Sequence, residues 1–334
     1  MIAVGLFVVL ASADANSATP GFDLPATFVT HRVFVDPVTV GGEKLHLYTD
    51  SGGGAKLLCR AAAARLRLAT TAAPHDGEME SELGKDLSIA KFPTFKPAAS
   101  IPPNADGDDR FIVNECKPQP GWPADAFGDG MLSNDWFADR VWTWDYPRGH
   151  LRLEGSDFRP DAAAHSVGVA FKAKHEGEQP QHFARIPIEI DGRPLDMLLD
   201  TGATTTLPAQ TLTALNDGLP ALRATSFITH GHFEEWHQAH PDWRVIEKGE
   251  IGTPARLIEV PKVTIAGTSV GPVWFTERPD KAFHQFMAQM MDKPVEGAVG
   301  GNVFSHFVMT IDYPHATAYF RCTRDCGEAS PPHS

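Results

Sequence analysis

The sequence predicts an all-β chain with few short helices, built as two duplicated β-rich lobes. Three observations predict it. Val38 to Gly54, VTVGGEKLHLYTDSGGG, lies on Ile188 to Thr204, IEIDGRPLDMLLDTGAT, without a gap. Asp129 to Pro147, DGMLSNDWFADRVWTWDYP, lies on Glu296 to Pro314, EGAVGGNVFSHFVMTIDYP, in the same order and again without a gap. Within the first pair of blocks apolar residues alternate around Gly42 or Asp191-Gly192, the pattern of a strand, a tight turn and a second strand. Two matched blocks in matched order mark a tandem of related units.

The elements follow in chain order. Met1 to Ala13 is apolar and ends in small residues, so residues 1–18 read as an export signal. Ile2 to Leu10 would form its apolar core, with cleavage at Ala11-Ser12-Ala13 or Ala13-Asp14-Ala15. The run is shorter than the roughly 20 apolar residues a spanning helix needs, so no stable membrane insertion is expected after cleavage. A buried first strand is the alternative. Residues 25–155 form the first lobe, carrying Asp50, and residues 185–334 the second, carrying Asp200. Between them 156–184 is polar and charged and reads as a linker, with one strand at Val167 to Lys172. Helices are expected at Cys59 to Leu68, Ala209 to Leu215 and Asp280 to Met291. The polar stretch Thr229 to Glu250 supplies part of the second lobe's extra length.

Composition narrows the function. The 334 residues are 42% hydrophobic and 21% charged, which suits a folded protein. Lys and Arg total 29 against 42 Asp and Glu, a net charge of −13, whereas nucleic-acid binding needs clustered cations. There is no nucleotide-binding glycine loop, no His-Glu-x-x-His and no C-x-x-C. Four cysteines allow three pairings, and pairing within each half, Cys59 with Cys116 and Cys322 with Cys326, is the simplest.

One Asp-Ser/Thr-Gly is a common surface turn. Here Asp50-Ser51-Gly52 and Asp200-Thr201-Gly202 each end the same strand-turn-strand of a duplicated unit. Duplicated elements at a twofold axis meet their own counterparts, so Asp50 and Asp200 are expected to face each other. Two carboxylates in contact hold one proton between them at mild acidity. The charged one can activate a water and the neutral one can hydrogen-bond a carbonyl oxygen. Ser51 and Thr201 offer hydroxyls to fix the two loops, and Gly52 and Gly202 let backbone amides approach the carboxylates.

At these residues the sequence resembles the pepsin-like and retropepsin-like aspartic peptidases, most closely the bacterial single-chain, two-lobe type. The resemblance runs from about Thr27 to Phe320. It implies a bilobal pepsin-like fold of two closed β lobes with the active site between them, and Asp50 and Asp200 as catalytic carboxylates. Asp129 to Ser133 and Glu296 to Gly300 match the apolar-apolar-Gly segment that packs beneath the active-site loops. An exported, monomeric, cofactor-free aspartic endopeptidase is the implied function. Its expected partner is a peptide or protein substrate in an apolar cleft, with no nucleic acid and no metal. Glycines at 52, 53 and 54, and no flap tyrosine beyond Phe92 and Phe95, keep an alternative open. That alternative is a weak or inactive scaffold binding peptide, carbohydrate or a partner protein. A protease for a single exported client is a third reading. His230, His232, His237 and His240, with Glu234, Glu235 and Asp242, read as a solvated loop in preference to a metal site. The stripe Phe283, Phe286, Met287, Met290 and Met291 reads as core.

Overall fold

The computed structural model describes residues 20–119, 121–174 and 181–328, so the expected export signal lies outside the described residues. Strand takes 36% of the described residues and helix 16%. That is well above average for strand and about half the average for helix, which places the molecule among all-β proteins. The longest helix described, His230–Ala239, has 10 residues. None is long and apolar enough to cross a membrane.

The two halves pair their strands in the same way. In the first, Leu47–Thr49 runs parallel to Gly130–Leu132, with Tyr48 opposite Met131. The latter strand runs antiparallel to Leu57–Cys59, which is parallel to Arg110–Asn114. In the second, Arg193–Leu199 runs parallel to Gly297–Val299, with Leu198 opposite Ala298. That strand is antiparallel to Ser226–Thr229, itself parallel to Val273–Arg278. Tyr48 and Leu198 are block counterparts, as are Met131 and Ala298, so the register repeats along with the topology. The first pattern sits in an eight-stranded sheet and the second in a ten-stranded one.

A six-stranded sheet takes strands from both halves. Val141–Asp145 pairs antiparallel with Phe307–Asp312, and Thr143 lies opposite Thr310, its own counterpart in the repeat. Their hydroxyls are 2.8 Å apart. A residue can face its own counterpart across an antiparallel pair only where a local twofold axis passes, so these threonines mark that axis. Period-two burial explains the strands. Trp142 and Trp144 are fully buried while Val141, Thr143 and Asp145 are less so, and Ile186, Ile188 and Ile190 alternate with Arg185, Pro187 and Glu189 in the same way.

Several expectations need correcting. The linker strand is His165–Gly168, paired with the strand Thr317–Cys322, and Lys172 lies beyond that pairing. The first helix spans only Arg60–Arg65, while Ala209–Leu215 forms as expected. The third is also helical, over residues 280–289, as a π-helix Ala282–Phe286 that runs into a 3-10 helix Met287–Gln289. Phe283, Met287 and Met291, four residues apart, still reach a core with Leu198, Val295 and Ala298. Phe286 is 51% exposed and does not join them. The stretch after Thr229 opens with a helix, because Phe233 and Trp236 at helical spacing are buried, Trp236 lying edge-on to Phe275.

Cys59 is bonded to Cys116 and Cys322 to Cys326, leaving no free thiol among the described residues. The first bridge closes a separation of 57 residues and ties the start of a helix to the segment leading to Gln119 and Trp122. Closing a loop of that size removes unfolded-chain entropy. The Cys59→Ser/Cys116→Ser variant should lose about 2–4 kcal/mol, read by urea unfolding, whereas Cys322→Ser/Cys326→Ser, across a separation of 4, should lose less.

Candidate active site

The strand Leu47–Thr49 delivers Asp50 and Arg193–Leu199 delivers Asp200, each to the end of a parallel pair. The Asp50 amide donates to Leu132 O at 2.8 Å and the Asp200 amide to Val299 O at 3.0 Å, so both carboxyls leave the sheet at equivalent points. Each chain then turns, with Gly53 N donating to Asp50 O and Ala203 N to Asp200 O. Between the turns the hydroxyl residues interlock. Ser51 N donates to Thr201 Oγ1 at 3.1 Å, and Thr201 N donates to Ser51 Oγ at 2.9 Å. The Ser51 hydroxyl in turn donates to Leu199 O at 3.0 Å. Both residues are buried, so these bonds are shielded from water.

The glycines bring the carboxyls together. Gly52 N donates to Asp50 Oδ1 at 2.9 Å and Gly202 N to Asp200 Oδ1 at 2.8 Å. Each glycine also lies against the opposite aspartate. A Cβ on Gly52 would stand 2.5 Å from Asp200 Cγ, and one on Gly202 would stand 2.1 Å from Asp50 Cγ. Both approaches are sub-van der Waals, so no other residue fits without displacing a carboxyl. Gly53 is held as well: Asn134 donates to its carbonyl through both its backbone N–H and its side-chain amide. The glycine-rich first loop is therefore fastened, against the looseness its composition suggests.

The carboxyls of Asp50 and Asp200 face each other, each packed against the glycine of the opposite turn. Burial pushes both pKa values up. Asp200 rises well above the ordinary range, through burial first and then the neighbouring Asp50 charge. Asp50 rises too, through burial first, although hydrogen bonds from the Gly52 and Gly53 amides favour its charged form. One proton therefore belongs to the pair.

The pair opens into a chamber of about 960 Å³. One part of its wall is aromatic and apolar: Tyr48, Trp122, Phe127, Met131 and Phe227. Phe92 and Phe95, the nearest aromatics after Asp50 in sequence, instead pack with Phe111 and Phe92 respectively and do not line the chamber. The opposite part departs from the expected apolar cleft. Arg278 grips Glu250 with two hydrogen bonds of 2.7 and 2.8 Å and lies 4.1 Å from the Phe227 ring centre. Thr205 and Thr253 satisfy the remaining Glu250 valences. Tyr48 was the legible omission: two residues before Asp50 on one strand, it must share the Asp50 face. Arg278 and Glu250 carry no such signal.

Apart from His237, whose Nδ1 has no hydrogen-bond partner, the histidines are dispersed into pairs. His230 bonds Glu277 at 2.6 Å, and His232 and His284 both approach Glu296, while His240 bonds Asp191. His230, Glu234 and Glu277 present ligand atoms within 4.8 Å of one another. The Arg256 guanidinium already bonds both glutamates. Against the effect of burial, hydrogen bonds from Arg256 and His230 hold Glu277 at about 2, and the same bond raises the His230 pKa. A guanidinium thus supplies the positive charge these carboxylates need. The histidines extend from the helix and do not form the solvated loop expected.

No family model matches the sequence, and no curated protein matches it.

Two outcomes follow from this packing. Gly202→Ala should destabilise the fold by about 1–3 kcal/mol through overpacking, whereas Gly54→Ala, with open space around its Cβ, should not, as read by urea unfolding. The folded-state pKa of Asp200 lies above its unfolded value, so its contribution to stability is present at low pH and declines as pH rises through the folded pKa. Asp200→Asn should therefore raise stability at pH 7 by roughly 1 kcal/mol or more and leave it near wild type at pH 3, read by thermal unfolding at both.

Proposed function

We propose that this chain is an exported aspartic endopeptidase of the bilobal pepsin-like fold. Residues 25–155 and 185–334 are its lobes, joined by 156–184, with Asp50 and Asp200 as catalytic carboxylates. The observation that carries the reading is the buried pair of carboxyls, each against the glycine of the opposite turn where two matching sheets meet, opening into a chamber large enough for several side chains. Few structural roles call for two carboxyls at one buried point, since their contact is unfavourable unless a proton is shared.

The chemistry uses that shared proton. A water between the carboxyls is activated by the Asp50 carboxylate, which takes its proton as the oxygen attacks the peptide carbonyl carbon. Asp200, protonated, donates a hydrogen bond to the carbonyl oxygen and then the proton that neutralises the developing oxyanion. Asp50 passes its proton to the leaving nitrogen as the C–N bond breaks, and reclaiming a proton from the tetrahedral hydroxyl restores the pair. Two carboxylates sharing one proton are the known arrangement of aspartic proteases in general, so the coupling itself has precedent. The Ser51–Thr201 interlock keeps both carboxyls in register throughout, which is what positioning contributes to such a reaction.

The upward displacement of both pKa values supports a working range in mild acid, where one proton is kept and one is lost. The test is a mixed peptide library incubated with the mature chain from pH 3 to 7 and read by mass spectrometry. Asp50→Asn and Asp200→Asn should each lower cleavage by about a thousandfold or more with the fold intact. Full activity in either variant would refute the dyad, and no cleavage by folded wild type would point to a binding scaffold.

A further inference from the structure

Arg32 stands on the strand Arg32–Val35, beside the strand that carries Tyr48 and leads to Asp50. Its side chain is buried at 3% exposure, and among the described residues no carboxylate pairs with it. Nη2 donates to the carbonyl of Ala126, and Nε has no partner. A buried cation left uncompensated is strongly unfavourable, so a nearby anion must share its field.

The route to that anion is visible. The Arg32 guanidinium carbon lies 4.6 Å from the Tyr48 ring centre and 5.0 Å from that of Phe34. The far end of the Tyr48 ring donates from its hydroxyl to Gly202 O at 2.8 Å and meets Thr204 Oγ1 at 2.8 Å. One flat side chain thus spans from the guanidinium to the loop that carries Asp200. The arrangement has no copy in the second half: the counterpart of Tyr48 is Leu198, buried among Phe183, Phe283 and Val295.

We propose that Arg32 is a positioning residue for the carboxyl pair: across the Tyr48 ring, its charge holds the single negative charge on Asp50 and leaves the proton on Asp200. This rests on the carboxylate chemistry proposed above. The groups facing the pair agree. Asp50 is acted on by Asp200, Tyr48 and Arg32, and Asp200 by Asp50, Tyr48 and Tyr146. Burial keeps both tyrosines neutral, since it raises their pKa values. Along the chamber wall Glu250 is matched by Arg278, and Glu277 by Arg256 and His230, while Asp280 also lines the chamber. Arg32 is the buried cation against the Tyr48 ring, on the strand next to the one that leads to Asp50, where water screens least.

The test reads the carboxyls directly. Protein labelled with carbon-13 at the aspartate carboxyls is titrated from pH 2 to 8 by NMR, with Asp50→Asn and Asp200→Asn to assign the two signals. In wild type Asp50 should ionise first. In Arg32→Met the Asp50 midpoint should move up by about one unit, because the carboxylate loses a favourable charge, and Arg32→Lys should restore it most of the way. Tyr48→Phe, which keeps the ring beneath the guanidinium, should leave the midpoint near wild type. The acid limb of kcat/KM against pH should move with the midpoint. An unmoved midpoint in folded Arg32→Met would overturn the proposal. So would a wild type in which Asp200 ionises first, a result that needs no variant to fold. The titration requires no turnover, so a shifted midpoint without peptide hydrolysis would reject the endopeptidase reading and leave the role of Arg32 standing.

Discussion

The structure turns on the burial of two carboxyls against each other. Both cannot be charged at that separation from water, so one proton belongs to the pair. Much of the local structure serves that contact. Gly52 and Gly202 are required because any Cβ would occupy the place of the opposite carboxyl. Ser51 and Thr201 exchange hydrogen bonds because the two turns meet face to face. The sheet that joins the halves crosses its own axis at Thr143 and Thr310, which extends the same twofold relation beyond the site.

The twofold relation ends one shell out. On the first side Asp50 has an aromatic wall, a buried cation in Arg32 and a loop tied by Asn134. On the second side Leu198 faces an apolar cluster, and the chamber wall carries the Arg278–Glu250 pair. Two copies of one motif thereby acquire different electrostatic surroundings. Equivalent carboxyls would share a proton evenly, whereas unequal surroundings decide which one keeps it. In the chemistry proposed, that inequality separates the base from the acid.

The second half shows how composition can mislead about charge. A run of histidines and glutamates is a reasonable metal-binding composition. Arg256, distant in sequence from the helix His230–Ala239, inserts its guanidinium between Glu234 and Glu277 and bonds both. The same residue stacks at 4.2 Å from the buried Phe233 ring. The helix itself forms because Phe233 and Trp236 gain burial from it, an advantage invisible in a count of polar residues.

The sequence by itself determined the strand-rich class, the paired blocks and the two Asp-Ser/Thr-Gly turns, because each is a local pattern of period two ending in a turn. It also singled out Ser51, Thr201, Gly52 and Gly202, residues of two turns that meet because duplication brings like to like. Tertiary structure alone decided the rest. The last helix wound as a π-helix and then a 3-10 helix, and the linker strand shifted to wherever Thr317–Cys322 offered a free edge. Arg32, Glu250 and Arg278 came to the carboxyls from separate strands and loops, so no spacing in the chain could announce them. The raised pKa of Asp200 is decided in the same way. It depends on water being excluded and on charges arriving from elsewhere, and burial is a property of the packed whole.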